Sequence, residues 1–149
     1  MIDSKEVATV ASIEELDANL ASAVSRLFRR VRAEKASDQI SDSHRLALAL
    51  LVKEGPHTLS ELSERERVKP PSMNQTVNAL VELGYVERRD DPADGRKVIL
   101  AATTTGQVLI EETRRRFHAW LQAQLTELSP QDREILTRAA VIIHKLADS

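Results

Sequence analysis

Residues 59–100 decide the fold, and they read LSELSERERVKPPSMNQTVNALVELGYVERRDDPADGRKVIL. Thr58 and Glu61 have the three-residue spacing of a capping box, which predicts a short helix that begins there. After the turn RERVK, the proline pair at 70 and 71 suits the first turn of a second helix, and Gly84 suits its end. The stretch therefore predicts two helices joined by a turn.

Two short strands follow the second helix. They are YVERRDD and KVILAAT, and the polar loop between them contains a proline and a glycine. Another helix is predicted before this stretch, at about residues 44–53. Apolar side chains cover nearly all of its faces, so we expect this helix to be buried. Residues 44–103 thus have the element order of a winged helix-turn-helix, in which the β-hairpin is the wing.

Further helices lie outside that unit. The Ser12–Glu15 pair forms a second capping box and begins a helix within residues 12–36. Two more helices are expected within residues 104–147, beginning at Thr104 and at Ser129. The apolar stripes of the first and last helices are too large to stand alone in water, so these helices need one another or a second chain.

Composition narrows the class of protein. The 149 residues include no cysteine, which excludes disulfides and thiolate metal sites, and the four histidines lack the spacing of metal ligands. No glycine-rich phosphate loop or nucleophile elbow is present, so we expect neither an enzyme nor a bound cofactor. The longest apolar run, LALALLV, is too short to cross a bilayer, and the N-terminus does not resemble a signal peptide. These features predict a cytoplasmic protein with no membrane partner.

The second helix of the stretch is the candidate DNA-reading element. In a helix-turn-helix, this helix enters the major groove, and the residues of its first turns face base edges. Asparagine and glutamine can form paired hydrogen bonds with adenine, and serine can reach a phosphate or a base. No arginine or lysine lies within the helix body, so guanine contacts from this helix are not expected. The candidate residues are Lys69, Ser72, Met73, Asn74, Gln75 and Asn78.

The polar loop supplies the second set of candidates. Arg96, at its tip, is placed to enter the minor groove, and Arg88, Arg89 and Lys97 would lie near phosphates. Asp94 is expected to hold the arginine or the loop in shape, and Gly95 to allow a sharp turn with a positive φ. The alternative is an exposed hairpin whose charges pair with one another.

Charge does not indicate a uniformly basic surface. The formal net charge is −2, and residues 59–97 contain seven Lys and Arg against eight Asp and Glu. The basic contacts are therefore expected to be separate ones, at the wing and at the start of the second helix. Nonspecific affinity for DNA should be modest and should depend strongly on salt.

The segment LVELGYVERRDDPADGRKVILAATTTG resembles the MarR family of bacterial transcriptional regulators, and the resemblance extends over nearly the full chain. It implies a mainly α fold with a small β-hairpin wing. It further implies a single domain over residues 1–149, in which residues 12–36 and 104–147 are dimerisation helices and residues 44–103 are the DNA-binding unit. A pocket for a small aromatic or phenolic anion between these regions is also typical of the family.

These features together predict a homodimeric, sequence-specific regulator that binds a pseudo-palindromic DNA operator and represses until an effector binds. The alternative is a protein-interaction module that kept the winged fold without DNA binding. The polar SMNQ segment argues against that alternative, because a protein-binding helix should expose larger apolar anchors.

Overall fold

The computed structural model describes residues 11–36 and 39–149. Within those ranges the chain forms six helices and one β-hairpin, which confirms the predicted mainly α fold. The elements are α1 (Ile13–Lys35), α2 (Asp42–Glu54), α3 (Leu59–Glu66), α4 (Pro70–Glu82), β1 (Val86–Asp90), β2 (Val98–Ala102), α5 (Thr104–Thr126) and α6 (Pro130–Ala147). The chain divides into two compact units, one ending at Ala33 and the other comprising Glu34–Ser149. None of the described helices is long and apolar enough to cross a membrane.

Three helix starts lie where the spacing predicts them. Ser12 accepts a hydrogen bond from the backbone N–H of Glu15 at 3.2 Å, and its own N–H donates to the Glu15 carboxylate at 3.1 Å. Thr58 and Glu61 form the same reciprocal pair at the start of α3. Ser129 caps α6. These predictions rest on local chemistry, since each cap needs residues only three positions apart.

One helix begins earlier than expected, and another begins where expected but has a different N-cap. α2 begins at Asp42, because the hydroxyl of Ser41 accepts a hydrogen bond from His44 N–H at 3.3 Å. The N-cap of α5 is Thr103 and not Thr104, and its hydroxyl accepts from Gly106 N–H at 3.1 Å. Residues 103–105 are all threonine, so the sequence pattern alone does not distinguish among the three.

The core lies between α2, α3, α4, the hairpin and the first half of α5. Its fully buried side chains include Leu48, Leu62, Leu80, Val77 and Val86. Two leucines are more exposed than the sequence pattern predicts, since helical spacing places Leu83 on the buried side of α4 and the helix that contains Leu46 is expected to be buried. Leu83 is 50% exposed because α4 ends there, and Leu46 is 47% exposed because it lies on the side of α2 away from the core.

The first and last helices of the chain, α1 and α6, contribute no residue to this core. Neither α1 nor α6 has a buried residue in the single chain. Each helix instead exposes a set of large apolar side chains. On α1 these are Ile13, Leu16, Val24, Leu27 and Phe28, and on α6 they are Ile135, Leu136, Val141, Ile142, Ile143 and Leu146.

The hairpin is antiparallel, with Val86 opposite Ala102 and Asp90 opposite Val98. Its second strand forms one further bridge, because the backbone groups of His57 and Leu100 exchange hydrogen bonds of 3.1 and 2.8 Å. The base of the wing is thus fixed to the segment that precedes α3.

Candidate nucleic-acid interface

The turn between α3 and α4 sets the direction of the second helix. Arg67 ends α3 with φ 53°, the left-handed conformation, and the next residue donates from its N–H to the Ser63 carbonyl at 3.0 Å. Lys69 then precedes α4 with extended backbone and an exposed side chain, and two prolines form the first helical positions. Because proline lacks an N–H, the prolines leave fewer unsatisfied donors at this helix start.

One side of α4 is anchored in the core. Met73, Val77 and Leu80 are buried on that side, and Met73 is only 2% exposed. The prediction that Met73 faces DNA is therefore wrong. Its position in the first turns suggested a contact, but 3.6 residues per turn place it on the same face as Val77 and Leu80.

The opposite side of α4 is polar and exposed. Gln75 is about half a turn from Met73 and Val77, and Asn78 is about half a turn from Leu80, so both exposed side chains point away from the core. Ser72 and Asn74 flank them and are also exposed. Asn74 lies toward the wing, where a cavity of about 220 Å³ separates α4 from the hairpin.

The two arginines of β1 lie on opposite faces of the strand, because successive side chains alternate. Arg88 shares the face of buried Val86, and its Nη2 donates a hydrogen bond to Oδ1 of Asn78 on α4. Arg89 points the other way and forms an ion pair with Glu87. The prediction that both arginines lie near phosphates does not distinguish these two faces, although the alternation of side chains along a strand separates them.

Side chains of two aspartates shape the wing loop. Asp91 Oδ1 accepts from Ala93 N–H at 2.9 Å, and Asp94 Oδ1 accepts from Arg96 N–H at 3.1 Å. The Asp94 carbonyl also accepts from Lys97 N–H at 3.0 Å. Asp94 therefore shapes the loop through the backbone, while the Arg96 and Lys97 side chains are exposed.

Gly95 does not have the predicted role. Among the described glycines only Gly55 and Gly84 have a positive φ, and a Cβ added at Gly95 would meet nothing within 4 Å. The prediction of a positive φ at Gly95 is wrong, because backbone N–H groups that donate to Asp91 and Asp94 close this loop without a left-handed residue.

A second feature, outside the α4 surface, is a cavity of about 560 Å³ between α2 and α5. Its lining includes Lys35, Arg45, Val52, Ile110 and Phe117. The Lys35 ammonium lies 4.5 Å from the centre of the Phe117 ring. The lining thus combines apolar side chains with four lysine and arginine side chains, which include Lys53 and Arg114, and with the carboxylate of Glu111.

Arg45 is incompletely hydrogen-bonded in this cavity. Nε of Arg45 is buried and has no hydrogen-bond partner among the described residues, and its guanidinium is 3.7 Å from the Asp42 carboxylate. Burial, and then the positive charge of Arg45, lower the pKa of Lys35. Sequence reasoning named no residue of this cavity, because it forms only when α2 and α5 pack together.

Comparison with known proteins identifies the family. Residues 38–97 match the model of the MarR family. The chain is 39% identical over 136 residues to the HTH-type transcriptional regulator MT0903.1 of Mycobacterium tuberculosis, covering 89% of this chain and 95% of the relative. It is 25% identical over 142 residues to the HTH-type transcriptional repressor MdtR of Bacillus subtilis, covering 93% of this chain and 90% of the relative.

A solved structure supports the fold. The structure of Streptococcus pneumoniae FabT in complex with DNA matches with a TM-score of 0.72 at 18% identity, over 92% of this chain and 98% of that one. The outward polar face of α4 and the wing beside it are the features expected of a winged helix-turn-helix, which is consistent with these similarities. The chain belongs to the MarR family, and it is a DNA-binding transcriptional regulator with a winged helix-turn-helix.

Proposed function

We propose that this regulator acts as a homodimer that binds the two halves of a pseudo-palindromic operator and represses transcription until a small anionic effector binds. The observation that carries the proposal is the polar outward face of α4 beside an exposed wing, whose loop carries the exposed side chains of Arg96 and Lys97. Buried side chains on the opposite side of α4 and on the hairpin pack into the core, and they hold both elements rigidly, as a DNA-reading surface requires. We expect it to work in the bacterial cytoplasm, where its operator lies.

Base contacts are assigned to the polar face of α4. Gln75 and Asn78 point away from the core, and Ser72 and Asn74 flank them. A helix placed in the major groove by its first turns would bring these amides and the hydroxyl to base edges and phosphates. Lys69, exposed at the start of α4, is a candidate phosphate contact.

Arg96 and Lys97 give the wing its role. Both side chains are exposed, and the hydrogen bond from Arg96 N–H to Asp94 fixes the loop backbone that carries them. An arginine inserted into a narrow minor groove gains from the strong negative potential there. A lysine beside it would neutralise a phosphate.

The exposed apolar side chains of α1 and α6 support dimerisation. Neither helix buries a residue in the single chain, and six large apolar side chains on α6 alone are at least 45% exposed. Soluble monomers rarely leave so much apolar surface in contact with water. A second copy of the chain would cover it, and the dimer would present two copies of α4 to successive major grooves, about 34 Å apart.

Repression and effector response complete the proposal. MdtR is a repressor, and its similarity to this chain extends over nearly the full length. The cavity between α2 and α5 offers apolar walls and more cationic than anionic side chains, and among the cations Arg45 is incompletely hydrogen-bonded. This chemistry suits an aromatic carboxylate or phenolate, whose ring would lie against Phe117 while its charge faces the cations.

The test is a fluorescence anisotropy titration against duplex DNA flanking the regulator's own gene, with scrambled duplex as competitor and salt varied. We expect saturable binding that resists scrambled competitor and weakens as salt rises. Gln75→Ala should bind scrambled and specific duplexes more alike, because it removes base contacts and leaves backbone contacts. Equal, weak binding of both duplexes by the wild-type protein would favour a winged module that binds protein and not DNA.

A further inference from the structure

Arg88 extends the DNA-reading surface of α4 from a neighbouring strand. Its Nη2 donates to Oδ1 of Asn78, and both side chains are exposed beside the outward face of α4. A guanidinium has only donors, so its partner atom on Asn78 must be the oxygen. The contact therefore fixes the orientation of the Asn78 amide, with Oδ1 toward Arg88 and Nδ2 away from it.

This orientation changes what Asn78 can contact. An asparagine that pairs with adenine accepts from N6 through its oxygen while it donates to N7 through its nitrogen. Here the oxygen lies against a cation, which repels the amino group of adenine and crowds its approach. The free groups of the pair are the two N–H donors of Asn78 and the remaining N–H donors of Arg88. Oδ1 keeps a second lone pair, but that lone pair lies beside the guanidinium, so the unit offers its donors and not its acceptor to a base.

Guanine matches such a unit best. Its major-groove edge offers two adjacent acceptors, N7 and O6, whereas adenine offers one acceptor and one donor, and cytosine offers a donor. We propose that Arg88 and Asn78 act as one donor-only unit that selects guanine at one position of each operator half-site. This inference rests on the proposed DNA binding, and it assigns to Arg88 a role in base selection in place of a phosphate contact.

Arg89 provides a matched control for this assignment. It is the next residue of β1, carries the same charge, and points to the other face of the strand, where it pairs with Glu87. Removal of either arginine subtracts one positive charge near the DNA. Only the removal of Arg88 releases Asn78.

In the experiment, each protein is mixed with a pool of duplexes that have a randomised central segment, and the duplexes it binds are sequenced. The proteins are the wild type, Arg88→Ala, Arg89→Ala and Asn78→Asp. Affinities are then measured on duplexes that differ only at the selected guanine. The wild type should prefer guanine over adenine there by about tenfold. Arg88→Ala should lose most of that preference, because Asn78 regains an oxygen able to accept from adenine. Arg89→Ala should keep the preference and bind all duplexes more weakly.

Asn78→Asp tests the other member of the pair. The carboxylate still accepts from Arg88, but the two N–H donors are replaced by an oxygen, so the preference for guanine should again be lost. Thermal unfolding of each variant confirms that it is folded, as expected for substitutions of exposed side chains.

Two outcomes would overturn the inference, and they are distinguishable. If the wild type selects a defined site and Arg88→Ala keeps the same base preference as Arg89→Ala, the donor-only unit is wrong while the proposed DNA binding stands. If the wild type selects no defined site, the proposed function and the inference are both wrong.

Discussion

The hydroxyl of Thr103 donates a hydrogen bond to the carbonyl oxygen of Gly84 at 2.6 Å, which joins the start of α5 to the end of α4. The N–H of Thr103 adds a second bond, to the Tyr85 carbonyl at 3.0 Å. The same hydroxyl also caps α5. The helix that lines the cationic cavity is thus tied to the helix proposed to contact DNA. A ligand that moves α5 would change the orientation of α4, as ligand-dependent DNA affinity requires.

Gly106 tests how close that junction is. A Cβ at this position would lie 2.3 Å from the Tyr85 carbonyl oxygen, so Gly106→Ala must push α5 away from the end of α4. We expect the free energy of unfolding to fall by about 1–3 kcal/mol. Gly95→Ala is the control, since its Cβ meets nothing within 4 Å, and it should change stability by no more than about 0.5 kcal/mol. Urea unfolding measures both, and an unchanged midpoint for Gly106→Ala would contradict the tight contact.

Arg96 tests the role of the wing. Arg96→Ala should weaken operator binding about tenfold and reduce the dependence of affinity on salt by roughly one counterion. Arg133→Ala removes the same charge from an exposed position on α6 and should leave both quantities unchanged. Anisotropy titrations over a range of salt concentrations measure them. Equal behaviour of the two variants would remove the wing from the interface.

Ile142 tests the dimer. It is 59% exposed on the apolar side of α6, so Ile142→Glu places a charge where the partner chain is expected to pack. Light scattering should then report a monomer at concentrations where the wild type is a dimer. Thr137→Glu introduces the same charge on the opposite side of α6, one turn from Arg133, and should leave the dimer intact. A dimeric Ile142→Glu would exclude this face of α6 from the interface.

Lys35 tests the cationic cavity through the dependence of stability on pH. Because burial and then the charge of Arg45 lower the pKa of Lys35, the folded state disfavours the charged lysine. This cost is present below the lowered folded-state pKa and disappears as pH rises from there to the ordinary value of 10.5. Lys35→Met should therefore be more stable than the wild type at pH 7, with the difference shrinking toward pH 11.

The same variant tests effector binding. Benzoate should raise the melting temperature of the wild type and not that of Lys35→Met, because the anion loses a cationic partner. Lys145→Met, on exposed α6, serves as the control. If Lys35→Met retains the full benzoate response, the anion binds elsewhere. In the pH experiment, a stability difference between Lys35→Met and the wild type that grows as pH rises would contradict the burial of the lysine charge.

Local chemistry was predictable from the sequence, and non-local packing was not. The caps at Ser12 and Thr58 follow from partners three residues away. The face of Met73 depends on which side of α4 the core covers, so its position in the first turns was misleading. The wing loop is closed by aspartate side chains and not by Gly95, a choice among turn chemistries that the sequence leaves open. The pairing of Arg88 with Asn78 joins a strand to a helix and required the tertiary structure.

The central claim is that two copies of the chain place α4 in successive major grooves of one operator. Hydroxyl-radical footprinting of the wild-type protein on its selected duplex tests it most directly. We expect two protected half-sites on one face of the duplex, related by two-fold symmetry, with centres about one helical turn apart. A single unsymmetrical protected segment, or protection no stronger than on scrambled DNA, would contradict the claim.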